Sequence, residues 1–125
     1  MEKPIILCFE TDAATEAALK KAAARLGADV KSVPLSEYSL PIGAIAGDVK
    51  PTLTYLGMPL GEPMLVFVNF PETVFEVFLG SLREKKIAPG ILKAVLTEHN
   101  AAWTPSELHT ELCRERAAFI GAHKK

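Results

Sequence analysis

Residues 93–112, KAVLTEHNAAWTPSELHTEL, decide the fold, for they read in order as a strand, a polar loop and a signposted helix start. Thr104-Pro105-Ser106-Glu107 has the spacing of a capping box: the Thr104 hydroxyl accepts from the backbone N–H of Glu107, and the Glu107 carboxylate reaches back. Pro105 stands at the one helical position where a missing N–H is harmless, so the helix is predicted to begin there. Trp103 before the cap and Leu108 at the fourth helical position have the spacing of a hydrophobic staple, which sets the angle between loop and helix.

Upstream of this stretch, Met64–Val68 (MLVFV) reads as a buried strand. Pro71 and Glu72 suit the first turn of a helix whose buried stripe is Phe75, Phe78, Leu79 and Leu82, widened by Val74 and Val77. That helix is expected to be the most enclosed of the domain. Ala88-Pro89-Gly90 ends it, and Ile91–Leu96 forms the next strand. Downstream, the capped helix is expected to bury Leu108, Leu112 and Phe119, with Cys113 and Ile120 beside them, and His123-Lys124-Lys125 to fray.

The first half repeats the order. Pro4–Phe9 (PIILCF) is an apolar, β-branched run, followed by a cap at Thr11 or Asp12. Ala18, Leu19, Ala22, Ala23 and Leu26 then make a helical stripe, and Gly27 is placed to end it in the left-handed conformation. Asp29–Val33 is a strand stopped by Pro34, and a short helix over Leu40–Ala46 carries the small residues Gly43, Ala44 and Ala46 that permit close packing. Residues 48–62 contain Pro51, Gly57, Pro59 and Gly61 without periodicity and read as a surface connector.

Pseudo-repeats 1–47 and 63–122, joined by the connector 48–62, therefore make a single domain spanning residues 1–125. Pro4-Ile5-Ile6 aligns with Pro63-Met64-Leu65, Lys31-Ser32-Val33 with Lys93-Ala94-Val95, and Tyr38-Ser39 with Trp103-Thr104; the second loop before the aromatic is three residues longer. The fold class is α/β, a four-stranded sheet built from two β-α-β-α repeats with helices packed on it. If a pseudo-dyad relates adjacent first strands of the two halves, those strands run antiparallel, the order is 2-1-3-4 and the sheet is mixed.

Composition narrows the function classes. Of 125 residues 49% are hydrophobic, enough for one core, and 14 basic against 15 acidic side chains give a net charge of -1, which offers no field for nucleic acid or an anionic membrane. The clusters Lys20, Lys21, Arg25 and Lys85-Lys86 fall at helix ends, where cations complement the dipole. Cys8 and Cys113 have no metal or redox spacing and read as free thiols in a reducing compartment. The first residues lack a secretory leader pattern and no apolar run reaches a membrane span, so a cytoplasmic location is expected.

Leu26-Gly27 with Val33-Pro34, Leu40 to Gly47 (LPIGAIAG), Glu62-Pro63-Met64-Leu65-Val66, and above all Lys93-Ala94-Val95-Leu96-Thr97 with Asn100, Trp103-Thr104 and Leu108 resemble a bacterial family known as domain-of-unknown-function family 3783. The resemblance extends over essentially the whole chain and implies a fold, with no reaction attached. In such proteins a Ser, Thr or Asp is expected to open the second long helix; here Pro71 stands there.

Lys93, Thr97, His99, Asn100 and Trp103 are the candidate ligand-binding residues, because loops at the carboxyl ends of strands are where α/β domains bind ligands. The structural alternative gives Asn100 and Thr97 to the loop backbone and Trp103 to the staple. His109 and Cys113, at i and i+4, could share a metal, but two ligands on one helix fall short of the four of a structural zinc site, and no metal or cofactor is expected. No catalytic motif is present, and no catalytic residue is assigned. The expectation is a non-catalytic binding or protein-interaction module, its partner an unknown protein or small molecule and its oligomeric state open. The alternative is a small-metabolite sensor or small enzyme using the loop after the fourth strand.

Overall fold

In a computed structural model, which describes residues 3–123, the chain runs β1 (Ile5–Phe9), α1 (Ala13–Ala24), β2 (Asp29–Val33), a 3-10 turn (Leu35–Glu37), α2 (Ile42–Ala46), β3 (Met64–Val68), α3 (Glu72–Glu84), β4 (Leu92–Val95) and α4 (Pro105–His123). The strands form one sheet in the order β2-β1-β3-β4. β1 pairs parallel with β2, β3 parallel with β4, and β1 antiparallel with β3, so the sheet is mixed, as the sequence implies. The expected fraying of Lys124 and Lys125 lies outside the described residues.

Strand alternation divides the core into two layers. Ile6 and Cys8 of β1 with Leu65 and Phe67 of β3 meet Leu19 and Ala23 of α1 and Phe78 and Leu82 of α3. Leu7, Phe9, Met64, Val66 and Val68 point the other way, onto Tyr38, Ile42 and Ile45 around α2 and Leu108 of α4. Phe67 packs edge-on against Phe70, Phe75 and Phe78, an arrangement that adds to simple area burial.

Helix ends follow the local chemistry. Asp12 caps α1 by accepting from the Thr15 N–H at 2.6 Å, which holds its carboxyl below the usual carboxylate range. Pro71 precedes α3 with no side-chain cap. The capping box at α4 is formed, Glu107 N–H donating to Thr104 Oγ1 (3.3 Å) and Thr104 N–H to Glu107 Oε1 (2.9 Å).

Several expectations need correction. α2 begins at Ile42 rather than Leu40, after a 3-10 turn the sequence pattern does not announce, and β4 is shorter than Ile91–Leu96. Ser39, which the sequence aligns with the cap residue Thr104 and which would by that alignment cap α2, caps nothing: the residue before α2 is Pro41, and the Ser39 hydroxyl donates instead to Leu53 O. α3 is not the most enclosed helix, since it buries only Phe78 and Leu82, and Val77, far around the helix from that stripe, is 74% exposed. Phe119 and Ile120 are 64% and 55% exposed. The physical reason is length: α4 at about 1.5 Å per residue outruns strands of four or five residues, leaving its last turns beyond the sheet.

The alignment of Lys31 with Lys93 is one residue out of register. The β1–β3 pairing is symmetrical about Leu7 and Val66, and these two pair with Lys31 and Ala94 respectively. A slip of one turns a strand side chain to the opposite face. Lys31 therefore sits on the α2 side, with Nζ near Ile45 O of α2, Glu37 of the 3-10 turn and Asp48 just after the helix, while Lys93 lies in the layer of α3.

Candidate functional site

The loop after β4 is organised by Asn100. Its Oδ1 accepts from the Thr97 N–H (2.9 Å), its Nδ2 donates to Val95 O (3.0 Å), and its own N–H donates to Thr97 Oγ1 (3.2 Å). The residue is 9% exposed, so its polar atoms serve the backbone around them. From this folded loop, Trp103 O accepts from the Ile42 N–H (2.8 Å) and Ala101 O from the Gly43 N–H (2.9 Å). These are the first donors of α2, a helix that lacks a side-chain cap, so the loop itself caps it. Gly43 lets the loop come close: a Cβ would stand 3.1 Å from Ala101 O and 3.2 Å from Ala101 Cβ, so a larger residue needs the loop to give by a few tenths of an ångström. The extra loop length has a structural task.

The five candidate residues are only partly brought together. Thr97 and Asn100 form one turn, and His99 sets its ring edge-on to Trp103 at a centroid distance of 5.0 Å. Trp103 is half-buried against the layer that holds Leu108 and Leu112, as the staple requires. Lys93 stands apart on the other face, where Nζ donates to Ala88 O and Ile91 O (both 2.9 Å) and burial, with the Arg83 charge second, lowers its pKa. The depression beside Trp103 is walled by Ser106, Glu107, Thr110, Glu111 and Arg114 of α4 rather than by residues 97–102.

A second cluster joins α4 to the connector. His109 and Cys113 lie one turn apart on α4, and Glu62, just before β3, completes a group whose ligand atoms all fall within 4.8 Å of one another. Cys113 Sγ is 3.7 Å from His109 Nδ1 and 3.8 Å from Glu62 Oε1, and His109 Nε2 is 3.8 Å from the same Oε1. Arg116 grips the Glu62 carboxylate at 2.8 and 2.9 Å, which, more than the neighbouring His109, holds the Glu62 carboxyl below its ordinary pKa. The i,i+4 pair is legible in the sequence, but Glu62 sits in an aperiodic connector and carries no signal that ties it to α4.

The other thiol is of a different kind. Cys8 is buried in β1, and desolvation, aided by Glu16, pushes its pKa up to about 12, so it stays an unreactive thiol.

A third feature lies on the α1–α3 face: a cleft of about 340 Å³ lined by Leu26, Thr73, Val74, Val77 and Phe78. It shares Ala22 and Arg25 with a neighbouring depression that adds Lys21 and Lys85. Among the described residues no helix is long and apolar enough to cross a membrane.

Residues 63–119 match the family model described as Domain of unknown function (DUF3783), which bears out the resemblance over the second half of the chain. No curated protein and no solved structure matches the chain.

Proposed function

We propose that this chain, with its DUF3783 domain, is a non-catalytic binding module that takes an apolar anchor flanked by acidic side chains into the cleft between α1 and α3. The observation that carries the reading is the exposed apolar rim of that cleft, Val77 at 74% and Leu26 at 41%, over a floor that includes Phe78. Charge complementarity selects the partner: Arg25 lines the cleft, Lys21 and Lys85 line the depression adjoining it, and none of them makes an ion pair among the described residues. An amphipathic segment with leucine on one face and glutamate on the other satisfies both demands.

The test is an amide chemical-shift titration of the isotopically labelled chain with a leucine/glutamate amphipathic peptide and with its leucine/lysine counterpart. Shifts around Leu26, Val74 and Val77 with the acidic peptide, lost in Val77→Asp and weakened by salt, are expected. Equal response to both peptides, or shifts confined to α4 and the 97–103 loop, would overturn the reading.

A further inference from the structure

We propose that Glu62, His109 and Cys113 form a binding site for a borderline-soft divalent metal ion of the zinc class, with a fourth coordination position left for water or an incoming ligand. The donor set is the first ground: one carboxylate oxygen, one imidazole nitrogen and one thiolate sulfur are the three ligand types zinc accepts. Geometry is the second. Zinc bonds of the usual lengths at tetrahedral angles put neighbouring donor atoms roughly 3.4 to 3.6 Å apart. With His109 Nε2 as the nitrogen donor, the edges of this triangle are 4.0 Å to Cys113 Sγ, 3.8 Å to Glu62 Oε1 and 3.8 Å between Cys113 Sγ and Glu62 Oε1, all of them wider than a metal-filled site by up to about half an ångström.

That triangular arrangement separates a metal site from a nucleophile-base-acid relay. In a relay the acid orients the far side of the imidazole and stays away from the thiol. Here Glu62 Oε1 is equally close to Cys113 Sγ and His109 Nε2. The i,i+4 pair on α4 supplies a rigid base, and Glu62, tied to the start of β3, closes the triangle from the connector.

Arg116 occupies the carboxylate and is the group a metal must displace. Its ion pair with Glu62 is solvent-accessible, at 42% and 33% side-chain exposure, and ion pairs of that kind are weak obstacles. Charge is conserved across the exchange: the dication enters, the Cys113 thiol gives its proton to solvent, and the guanidinium swings out into water. The site lies on the α4 face, away from the α1–α3 cleft, so the two proposals stand or fall separately.

Titrating the full chain with cobalt(II) tests the assignment by absorption spectroscopy. A thiolate-to-cobalt charge-transfer band, with tetrahedral visible bands and bleaching by zinc, is expected. Cys113→Ser should remove the charge-transfer band, and Glu62→Gln and His109→Ala should weaken binding about tenfold or more. Cys8→Ser and Val77→Asp should leave it unchanged. Arg116→Ala should bind at least as tightly as the parent chain, because it removes the competitor. Circular dichroism on each variant confirms folding. Absence of the band in the parent chain at millimolar cobalt, or its survival in Cys113→Ser, would overturn the proposal.

Discussion

The two parallel strand pairs of the sheet, β1 with β2 and β3 with β4, are alike at several backbone positions and are held by different side chains. β1 and β3 pair antiparallel with Ile5 opposite Val68 and Phe9 opposite Met64, and the residues just after each strand, Glu10 and Asn69, are both left-handed, at φ 59 and φ 62. α1 and α3 end alike: Ala28 N–H donates to Ala23 O as Ile87 N–H donates to Leu82 O, with Gly27 (φ 70) and Lys86 (φ 57) in the matching left-handed place. The halves part at the strand-to-helix turns. In the first, Tyr38 is buried and its hydroxyl donates to Glu10, whose carboxylate also accepts from Leu60 and Gly61 N–H and so pins the connector. In the second, the longer loop folds around Asn100 and caps α2. Backbone conformation is thus set by the shared topology, while the polar devices that hold it are local.

The largest effect should come from the device found only in the second half. Asn100→Ala strands the Thr97 N–H and Val95 O and loosens the α2 cap, so a loss of about 2–3 kcal/mol is expected from urea melts. This is the outcome expected of the structural alternative, which gives Asn100 to the loop backbone. A loss below about 0.5 kcal/mol would show that the loop is not what holds α2.

The aromatic-hydroxyl pairs that the sequence aligns give a graded test. Trp103→Ala should cost about 2 kcal/mol, less than for a fully buried ring because one side faces the α4 depression. Thr104→Ala should cost about 1 kcal/mol as a lost cap, while Ser39→Ala should fall near zero because Ser39 caps no helix. Equal losses for Thr104→Ala and Ser39→Ala would restore the symmetry that the hydrogen bonds deny.

What the sequence discloses follows from the range over which each signal acts. Apolar runs such as Met64–Val68 and caps such as Thr104 with Glu107 act over a few residues, and the strands and the starts of α1, α3 and α4 read from them hold, while α2 does not begin where its pattern suggested. Register is different, because a slip of one residue, as in the alignment of Lys31 with Lys93, exchanges the two faces, and Lys93 lies on the α3 face while Trp103 packs on the other. Phe119 and Ile120 keep the helical spacing of core residues, but spacing does not say where the sheet beneath them ends. Glu62 meets His109 and Cys113 only through the path of the connector, a tertiary fact with no periodic trace.

Gly27 and Lys86, both left-handed, isolate backbone conformation from side-chain contact. At Gly27 a Cβ would meet nothing within 4 Å, so any cost of filling that position is conformational. Lys86 already bears that cost at φ 57. Left-handed geometry costs an L-residue about 1–2 kcal/mol, and glycine returns roughly 0.5–1 kcal/mol of this through its freer unfolded chain. Lys86→Gly should therefore stabilise by about 0.5–1 kcal/mol, and Gly27→Lys should destabilise by a similar amount. The double exchange should come out near neutral, as expected for sites in separate helices with no shared partner. Denaturant midpoints at constant slope measure all three. If Lys86→Gly lowers the midpoint, the lysine side chain has a role that outweighs its strain, and the equivalence of the two helix ends fails at the level of energy though it holds in geometry.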